Sequence, residues 1–185
     1  MLVLGTSASQ NTKSFLGGDF ESIATATANG AGYLSFASIP QTYTHLQLRY
    51  ITRNNVSAGT TDQILMWFNG DQTTANYRTH YLWGTGAAAE SSTYTGLGYV
   101  RVGMCPASGA NSAIWGVGVV DILDYTNTSK NKTLKNLWGH DRNGSGTVAL
   151  TSGLWTNTAA ITSINVAVSG YYEASGATWG LYGIK

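Results

Sequence analysis

The sequence predicts an all-β fold: an antiparallel β-sandwich of jelly-roll-like type with an extended N-terminal arm. Short runs in which apolar and polar residues alternate follow one another along the chain, separated by turn residues. No window of helical length carries apolar residues at spacings of three and four. Ten or eleven such runs within 185 residues are typical of two packed antiparallel sheets in one domain.

One domain is expected at this length, because such a chain can bury about 70% of the surface that its unfolded form exposes. Residues 1–19 lack strand and helix periodicity and are predicted to form the arm, and residues 20–185 the sandwich. The arm is either a frayed terminus or a segment that becomes ordered only against another protein. In the second case its anchors are Leu2, Val3, Leu4, Phe15 and Leu16.

The candidate strands cover residues 20–28, 33–37, 45–53, 63–69, 77–83, 98–104, 113–125, 132–140, 147–150, 161–169 and 177–184. The Asn29-Gly30 pair predicts a tight hairpin between the first two runs. In the third run Leu46, Leu48 and Tyr50 alternate with polar residues, which predicts one buried and one solvated face. Residues 84–93 and 106–112 are predicted to be connections.

The longest apolar run is AIWGVGVVDILDY, residues 113–125. Its β-branched content predicts a strand near the middle of a sheet. Neither of its two alternating sets of side chains is polar, so we expect both faces of this strand to be buried.

Composition argues against two classes of partner. Charged residues make up 10% of the chain, against about 25% in an average soluble domain. The net charge is +1 with no basic run, so the electrostatic footprint of a nucleic-acid-binding protein is missing. The apolar residues 1–4 are too few for a signal sequence or a membrane span. We therefore expect neither a nucleic acid nor a membrane as partner.

Catalytic constellations are missing from the sequence, so we predict that the protein is not an enzyme and holds no cofactor. The single Cys105 cannot form an intrachain disulfide, and no metal-binding histidine pair or nucleophile elbow occurs. Asp121 and Asp124 lie near the end of a predicted strand, where their side chains should point to opposite faces. A carboxylate pair of that kind could not converge on one glycosidic bond.

Residues 141–146, Asp-Arg-Asn-Gly-Ser-Gly, place oxygen-bearing side chains at alternate positions, as the first half of a calcium loop does. The twelfth position of that loop is Ser152, where a bidentate glutamate would be needed. A glycine-rich hairpin turn explains the same residues.

Trp155 lies in a stretch with the composition of a loop, residues 152–158. It either closes one end of the sandwich or stacks on a sugar ring. Eleven Tyr, six Trp and four Phe are more aromatic residues than one small sandwich is expected to use. We therefore predict a stable homotrimer with some aromatic residues at its interface.

Three stretches together carry a family resemblance: SIPQTYTHLQLR at residues 38–49, the block of residues 121–166, and LYGIK at residues 181–185. They resemble a family of small β-rich virion proteins of tailed bacteriophages, including cyanophages and other marine phages. The resemblance spans most of residues 20–185. It implies a homotrimeric structural protein of the particle surface, made in the cytoplasm of the bacterial host and lacking an active site.

Two functions are compatible with that resemblance. The first is a capsid cement or decoration protein on the head surface, bound to the major capsid protein or another virion protein. The alternative is the receptor-binding tip of a tail or head fibre, with Trp155 engaging host glycans. One domain plus a short arm leaves no room for a long shaft, which favours decoration.

Overall fold

The computed structural model describes residues 18–185, and within them the chain is all-β. The twelve strands are β1 (Phe20–Thr27), β2 (Leu34–Phe36), β3 (His45–Thr52), β4 (Thr61–Phe68), β5 (Tyr77–Gly84), β6 (Ala89–Leu97), β7 (Val100–Pro106), β8 (Gly116–Ile122), β9 (Lys132–Asp141), β10 (Gly146–Trp155), β11 (Ile164–Val168) and β12 (Thr178–Ile184). Two single helical turns, Thr74–Asn76 and Ser169–Tyr171, interrupt them. The predicted fold class is confirmed.

The strands form two antiparallel sheets. The large sheet has the order β1-β12-β3-β8-β9-β10-β5-β6, and the small sheet has the order β2-β11-β4-β7. Eight of the strands pair in nested fashion, β1 with β12, β2 with β11, β3 with β8 and β4 with β7. This nesting is the connectivity of a jelly roll. The hairpins β5–β6 and β9–β10 are additions that extend the large sheet beyond β8.

The core lies between the two sheets and is built from the inward side of each strand's alternation. Leu46, Leu48 and Tyr50 of β3 are all buried, as the alternation predicts. They pack in one cluster with inward residues of both sheets, among them Ile64, Met66, Val100, Val102, Val120, Ile122, Ile164, Val166, Trp179 and Leu181.

A buried polar network links the layers. The side-chain amide of Asn136 donates to the Tyr50 hydroxyl at 2.9 Å and to the Val102 carbonyl of the opposite sheet at 2.7 Å. Trp138 donates to the Thr151 hydroxyl at 2.9 Å. Buried donors need such partners. The Asn136–Val102 bond joins the two sheets, whereas the Trp138–Thr151 bond joins neighbouring strands of the large sheet.

The structure corrects three local predictions. Asn29-Gly30 is not a hairpin turn, since β1 pairs with β12 in the large sheet whereas β2 pairs with β11 in the small one. The connection therefore crosses between the sheets, with Gly30 at φ 103°. The region 84–93, predicted to be a connection, contains the start of β6, whose mostly exposed residues pair with β5 through the backbone. Trp155 ends the ten-residue strand β10 rather than lying in a loop.

The long apolar run behaves partly as predicted. Strand β8 is the fourth of the eight strands, near the middle of the large sheet. However, only Gly116, Gly118, Val120 and Ile122 are buried, while Val117 is 53% exposed and Val119 37% exposed. The prediction that both faces of this strand are buried is wrong, because none of the residues 18–185 covers the outer face of the large sheet at this point.

Candidate functional site

The outer face of the large sheet carries a continuous group of uncovered aliphatic side chains, which we call the apolar band. It occupies five neighbouring strands from β3 to β5. Its seven members are between 37% and 62% exposed: Ile51, Leu82, Val117, Val119, Leu137, Val148 and Leu150. Single exposed aliphatic residues are common on protein surfaces, but a contiguous group of this kind marks an interaction site.

Strand register aligns the band in two rows. In the first row Ile51 pairs with Val117, and Gly139 separates Val117 from Val148. The second row runs without a gap through Val119, Leu137, Leu150 and Leu82. Directly opposed residues have Cβ atoms about 5 Å apart, so neighbouring side chains of the second row lie side by side across four strands. Because Gly139 and Gly84 have no side chains, the first row contains shallow troughs.

A polar row borders the band on one side. Gln47, Asp121, Lys135, Ser152 and His80 follow one another across the same five strands. Gln47 donates to the Asp121 carboxylate at 2.8 Å, and the Lys135 ammonium lies 3.5 Å from the other oxygen of that carboxylate. The charges of Asp121 and Lys135 in this row therefore compensate each other.

The β3 end of the second row is occupied by Arg49. Its guanidinium lies 4.9 Å from the centre of the Phe20 ring and 5.3 Å from that of Tyr182, and these two rings stack at 4.9 Å. Arg49 also donates to the Gln47 side chain at 2.9 Å. The apolar character of the outer face thus continues to β1 at the sheet edge through two aromatic rings.

The band rests on a rigid inner layer. Beneath it Tyr50 stacks on Trp179 with ring centres 4.3 Å apart. The Tyr50 ring fills the space that Gly118 leaves by having no side chain. Burial raises the pKa of Tyr50, so the ring stays neutral and acts as packing. The outer face is consequently a preformed surface, which lowers the entropic cost of binding a partner.

The carboxylates Asp121 and Asp124 were expected on opposite faces, but both border one groove with Lys130 and Lys135. The strand ends at Ile122 and Asp124 has φ 50°, so strand alternation no longer applies. The Lys130 ammonium bonds the Asp124 carboxylate at 2.8 Å, and this bond lowers the pKa of Asp124. Each carboxylate is paired with a lysine, Asp124 with Lys130 and Asp121 with Lys135.

The candidate calcium loop is the turn between β9 and β10. One carboxylate oxygen of Asp141 accepts the backbone N–H of Asn143 at 2.7 Å and of Gly144 at 3.3 Å. Asn143 and Gly144 both have positive φ, as a tight hairpin requires. Within residues 18–185, no three His, Cys, Asp or Glu side chains cluster as a metal site would require.

Trp155 is 1% exposed and packs beside Phe68 and Tyr77. Its ring nitrogen donates to the Asp71 carboxylate at 2.7 Å. The ring therefore closes one end of the sandwich, as one of the two sequence-based interpretations held. The other interpretation, that Trp155 stacks on a glycan, is wrong for this conformation because the ring faces no solvent.

The buried ionisable groups elsewhere in the structure stabilise the fold through hydrogen bonds or packing. The Arg53 guanidinium donates to four backbone carbonyls of residues 107–114, and the Lys132 ammonium donates to three carbonyls of neighbouring loops. Burial raises the pKa of the Cys105 thiol, which is fully enclosed. The pKa of Glu173 is also raised by burial, and its carboxylate accepts hydrogen bonds from Thr52 and Trp179. None of these groups lies in an open cleft.

The predicted anchors Leu2, Val3, Leu4, Phe15 and Leu16 lie outside the described residues; only Gly18 and Asp19 of the predicted arm lie within them. Asp19 accepts a hydrogen bond from the backbone of Lys185 at 3.0 Å, so the described chain starts at the β1 edge of the large sheet. Among residues 18–185, no helix has the length and hydropathy needed to span a membrane.

Sequence reasoning did not find the apolar band. The available signal was apolar residues on both sides of the alternation in 113–125, which we interpreted as burial on both faces of that strand. Comparison with known proteins adds no family assignment: the chain matches no family model, no curated protein and no solved structure.

Proposed function

We propose that this protein is a structural protein of a bacteriophage virion, a capsid decoration protein that assembles as a homotrimer through the apolar band. The observation that supports the proposal is the band itself: seven aliphatic side chains on a rigid sheet, with no cover from residues 18–185. A second copy of the chain is the partner that we assign to it.

Area favours a protein partner for this face. The eight strands of the large sheet are about 4.8 Å apart and about eight residues long, so the whole outer face measures about 1,000 Å². A stable interface buries about 800 Å² per partner. Covering the band gains about 1 kcal/mol per half-exposed side chain, or about 7 kcal/mol in total before the costs of association.

Charge favours a second copy of the same chain. The net charge is +1. Beside the band, Asp121 and Lys135 are paired with each other, which leaves Arg49 as the charge at its β3 end. Two copies of the chain therefore approach with little repulsion. In a closed ring of three, each interface is heterologous, so the band of one copy contacts a different surface of the next copy.

The trimer is tested by native mass spectrometry and by light scattering after gel filtration. We expect a trimer at micromolar concentration for the unmodified chain and a monomer for the double variant Leu137→Lys, Val148→Lys, because two buried charges without partners cost more than the band gains. The matched control is Val56→Lys, a substitution of an equally exposed residue in the loop between β3 and β4. A monomeric unmodified chain, or a trimeric double variant, contradicts the proposal.

The place on the particle is tested by copy number. Quantitative mass spectrometry of purified virions is expected to find hundreds of copies for a decoration protein, whereas a fibre tip would be present in tens. We further propose that residues 1–19 attach the trimer to the shell. A chain that begins at Asp19 should melt at the unchanged temperature but fail to rebind particles stripped of the native protein. Rebinding at full affinity would place attachment on the sandwich.

A further inference from the structure

A cleft opens on the outer face of the small sheet, on the side of the sandwich opposite the apolar band. Its volume is about 400 Å³, within the range of small-molecule sites. No charged side chain lines it; the lining residues are Gly32, Tyr33, Trp67, Gly70, Gln72, Asn165 and Tyr171. We call it the aromatic cleft.

Three aromatic rings form its walls and floor. Tyr33 meets Trp67 edge to face with ring centres 5.3 Å apart, and Tyr171 meets Trp67 at 6.3 Å and an interplanar angle of 88°. Trp67 is 4% exposed, whereas Tyr33 is 55% and Tyr171 41% exposed. The tryptophan is therefore the floor, and the two tyrosines are the walls that a ligand can touch.

Asn165 brings a side-chain amide to this cleft. It lies in β11 directly between Ser35 of β2 and Trp67 of β4, and it is 7% exposed. Its side-chain amide forms no hydrogen bond with any other residue of 18–185. The amide is not among the fully enclosed polar groups that lack a partner, such as the Asn136 carbonyl oxygen, so its polar atoms reach the solvent of the cleft. They are therefore available to hydrogen-bond a ligand there.

The walls are held in place before any ligand binds. Gly32 forms a backbone bridge with Tyr172, which joins the segment of Tyr33 to that of Tyr171. Tyr171 has φ 63°, a conformation that is costly for a residue with a side chain. The adjoining Gly170, at φ 73°, allows this tight turn. The turn directs the Tyr171 ring towards Trp67.

We propose that the aromatic cleft binds a neutral saccharide. Tyrosine faces suit the C–H surface of a sugar ring, and the Asn165 amide offers both a donor and an acceptor to its hydroxyl groups. The uncharged lining favours neutral sugars over sialylated or sulfated ones. This site does not depend on the proposed trimer or on virion attachment, because it uses the opposite face of the sandwich.

The test is titration of the purified chain, followed by saturation-transfer NMR, with neutral oligosaccharides of glucose, galactose, mannose and N-acetylglucosamine. Sialylated and sulfated oligosaccharides serve as the charged comparison. We expect binding of at least one neutral sugar at millimolar concentration and a loss of about tenfold or more in affinity for Tyr33→Ala and for Asn165→Ala. The matched control, Leu123→Ala at an exposed position just after β8, outside both the apolar band and the cleft, should bind as the unmodified chain does.

A thermal melt separates ligand binding from a structural role of Asn165. Because the amide has no partner among residues 18–185, Asn165→Ala should leave the melting temperature unchanged or raise it. A marked decrease would assign the amide to the fold and overturn its role as a ligand group. No binding by the neutral panel, stronger binding of charged sugars, or undiminished binding by both cleft variants would overturn the proposal.

Discussion

The outer faces of the two sheets differ in what covers them. On the large sheet the apolar band stays 37% to 62% exposed. On the small sheet the outward residues Leu65, Trp67, Asn165 and Ala167 are at most 7% exposed. Tyr33 and Tyr171 pack over Trp67 at the centre of this face. One face is closed by the chain's own loops, while the other presents equally apolar residues without a loop.

This difference indicates that one face suits a protein partner and the other a small ligand. A wide, flat and uncovered aliphatic surface offers area but few hydrogen-bonding groups, which suits a protein partner. A small cleft under a loop offers aromatic rings and the Asn165 amide, which suits a small polar ligand. The same fold therefore separates assembly from ligand recognition by placing them on opposite sides.

The largest difference in the free energy of unfolding is expected between variants of one outward residue from each face. Trp67→Ala should lower the free energy of unfolding by about 3 to 5 kcal/mol, because it leaves a cavity beneath Tyr33 and Tyr171. Leu137→Ala should change it by less than about 0.5 kcal/mol, because the side chain is 60% exposed. Urea denaturation at low protein concentration measures both. Equal losses would mean that both faces are covered in solution.

A second prediction compares the two faces of β8. Gly118→Ala should destabilise the fold by about 1 to 3 kcal/mol, because its methyl group would overlap the Tyr50 hydroxyl. Tyr50 cannot move away, since it is packed against Trp179. Val119→Ala, one residue along and on the outer face, should be nearly neutral. Thermal unfolding of the two variants side by side measures the difference, and a harmless Gly118→Ala would show that the inner layer is not rigid.

A third prediction concerns Asp71, which ties the loop after β4 to β10 of the large sheet. Burial acts to raise the pKa of this carboxyl, but hydrogen bonds from Trp155, Asn76 and Thr73 outweigh it and lower the pKa to about 2. The stabilisation is therefore present above pH 4 and is lost as the pH falls towards 2. Asp71→Asn should cost about 1 kcal/mol at pH 7 after allowance for solvent screening.

Melting temperatures of the unmodified chain and Asp71→Asn, measured at each pH, check this prediction. The two curves should converge between pH 4 and pH 2. Parallel curves over that interval would show that Asp71 is not the group responsible. A double variant with Trp155→Phe should lose little more than either single variant if the Trp155 bond carries most of the effect.

The smallest expected effect lies at the edge of the apolar band. Arg49→Gln should lower stability by about 0.5 kcal/mol, because the contact of the guanidinium with Phe20 and Tyr182 is exposed to solvent. Chemical denaturation resolves such a change when replicates are averaged. A loss above about 2 kcal/mol would indicate that this aromatic end is buried, for instance inside an oligomer.

Local sequence determined the strand content and most strand positions. Alternation in β3 assigned Leu46, Leu48 and Tyr50 to the core, and the apolar run 113–125 was correctly placed near the middle of a sheet. These features follow from a two-residue period that each strand carries by itself. The arm of residues 1–19 and its anchors remain a prediction from sequence.

Only the tertiary structure decided which strand faces are covered. β8 and β11 are both largely apolar in sequence, yet β8 is open on its outer side whereas β11 is buried on both sides by a loop and a neighbouring sheet. Likewise Asn29-Gly30 crosses between sheets because the partners of β1 and β2 come from the far end of the chain. Cover and pairing depend on contacts between residues more than a hundred positions apart, such as Thr52 with Glu173, and no local period encodes them.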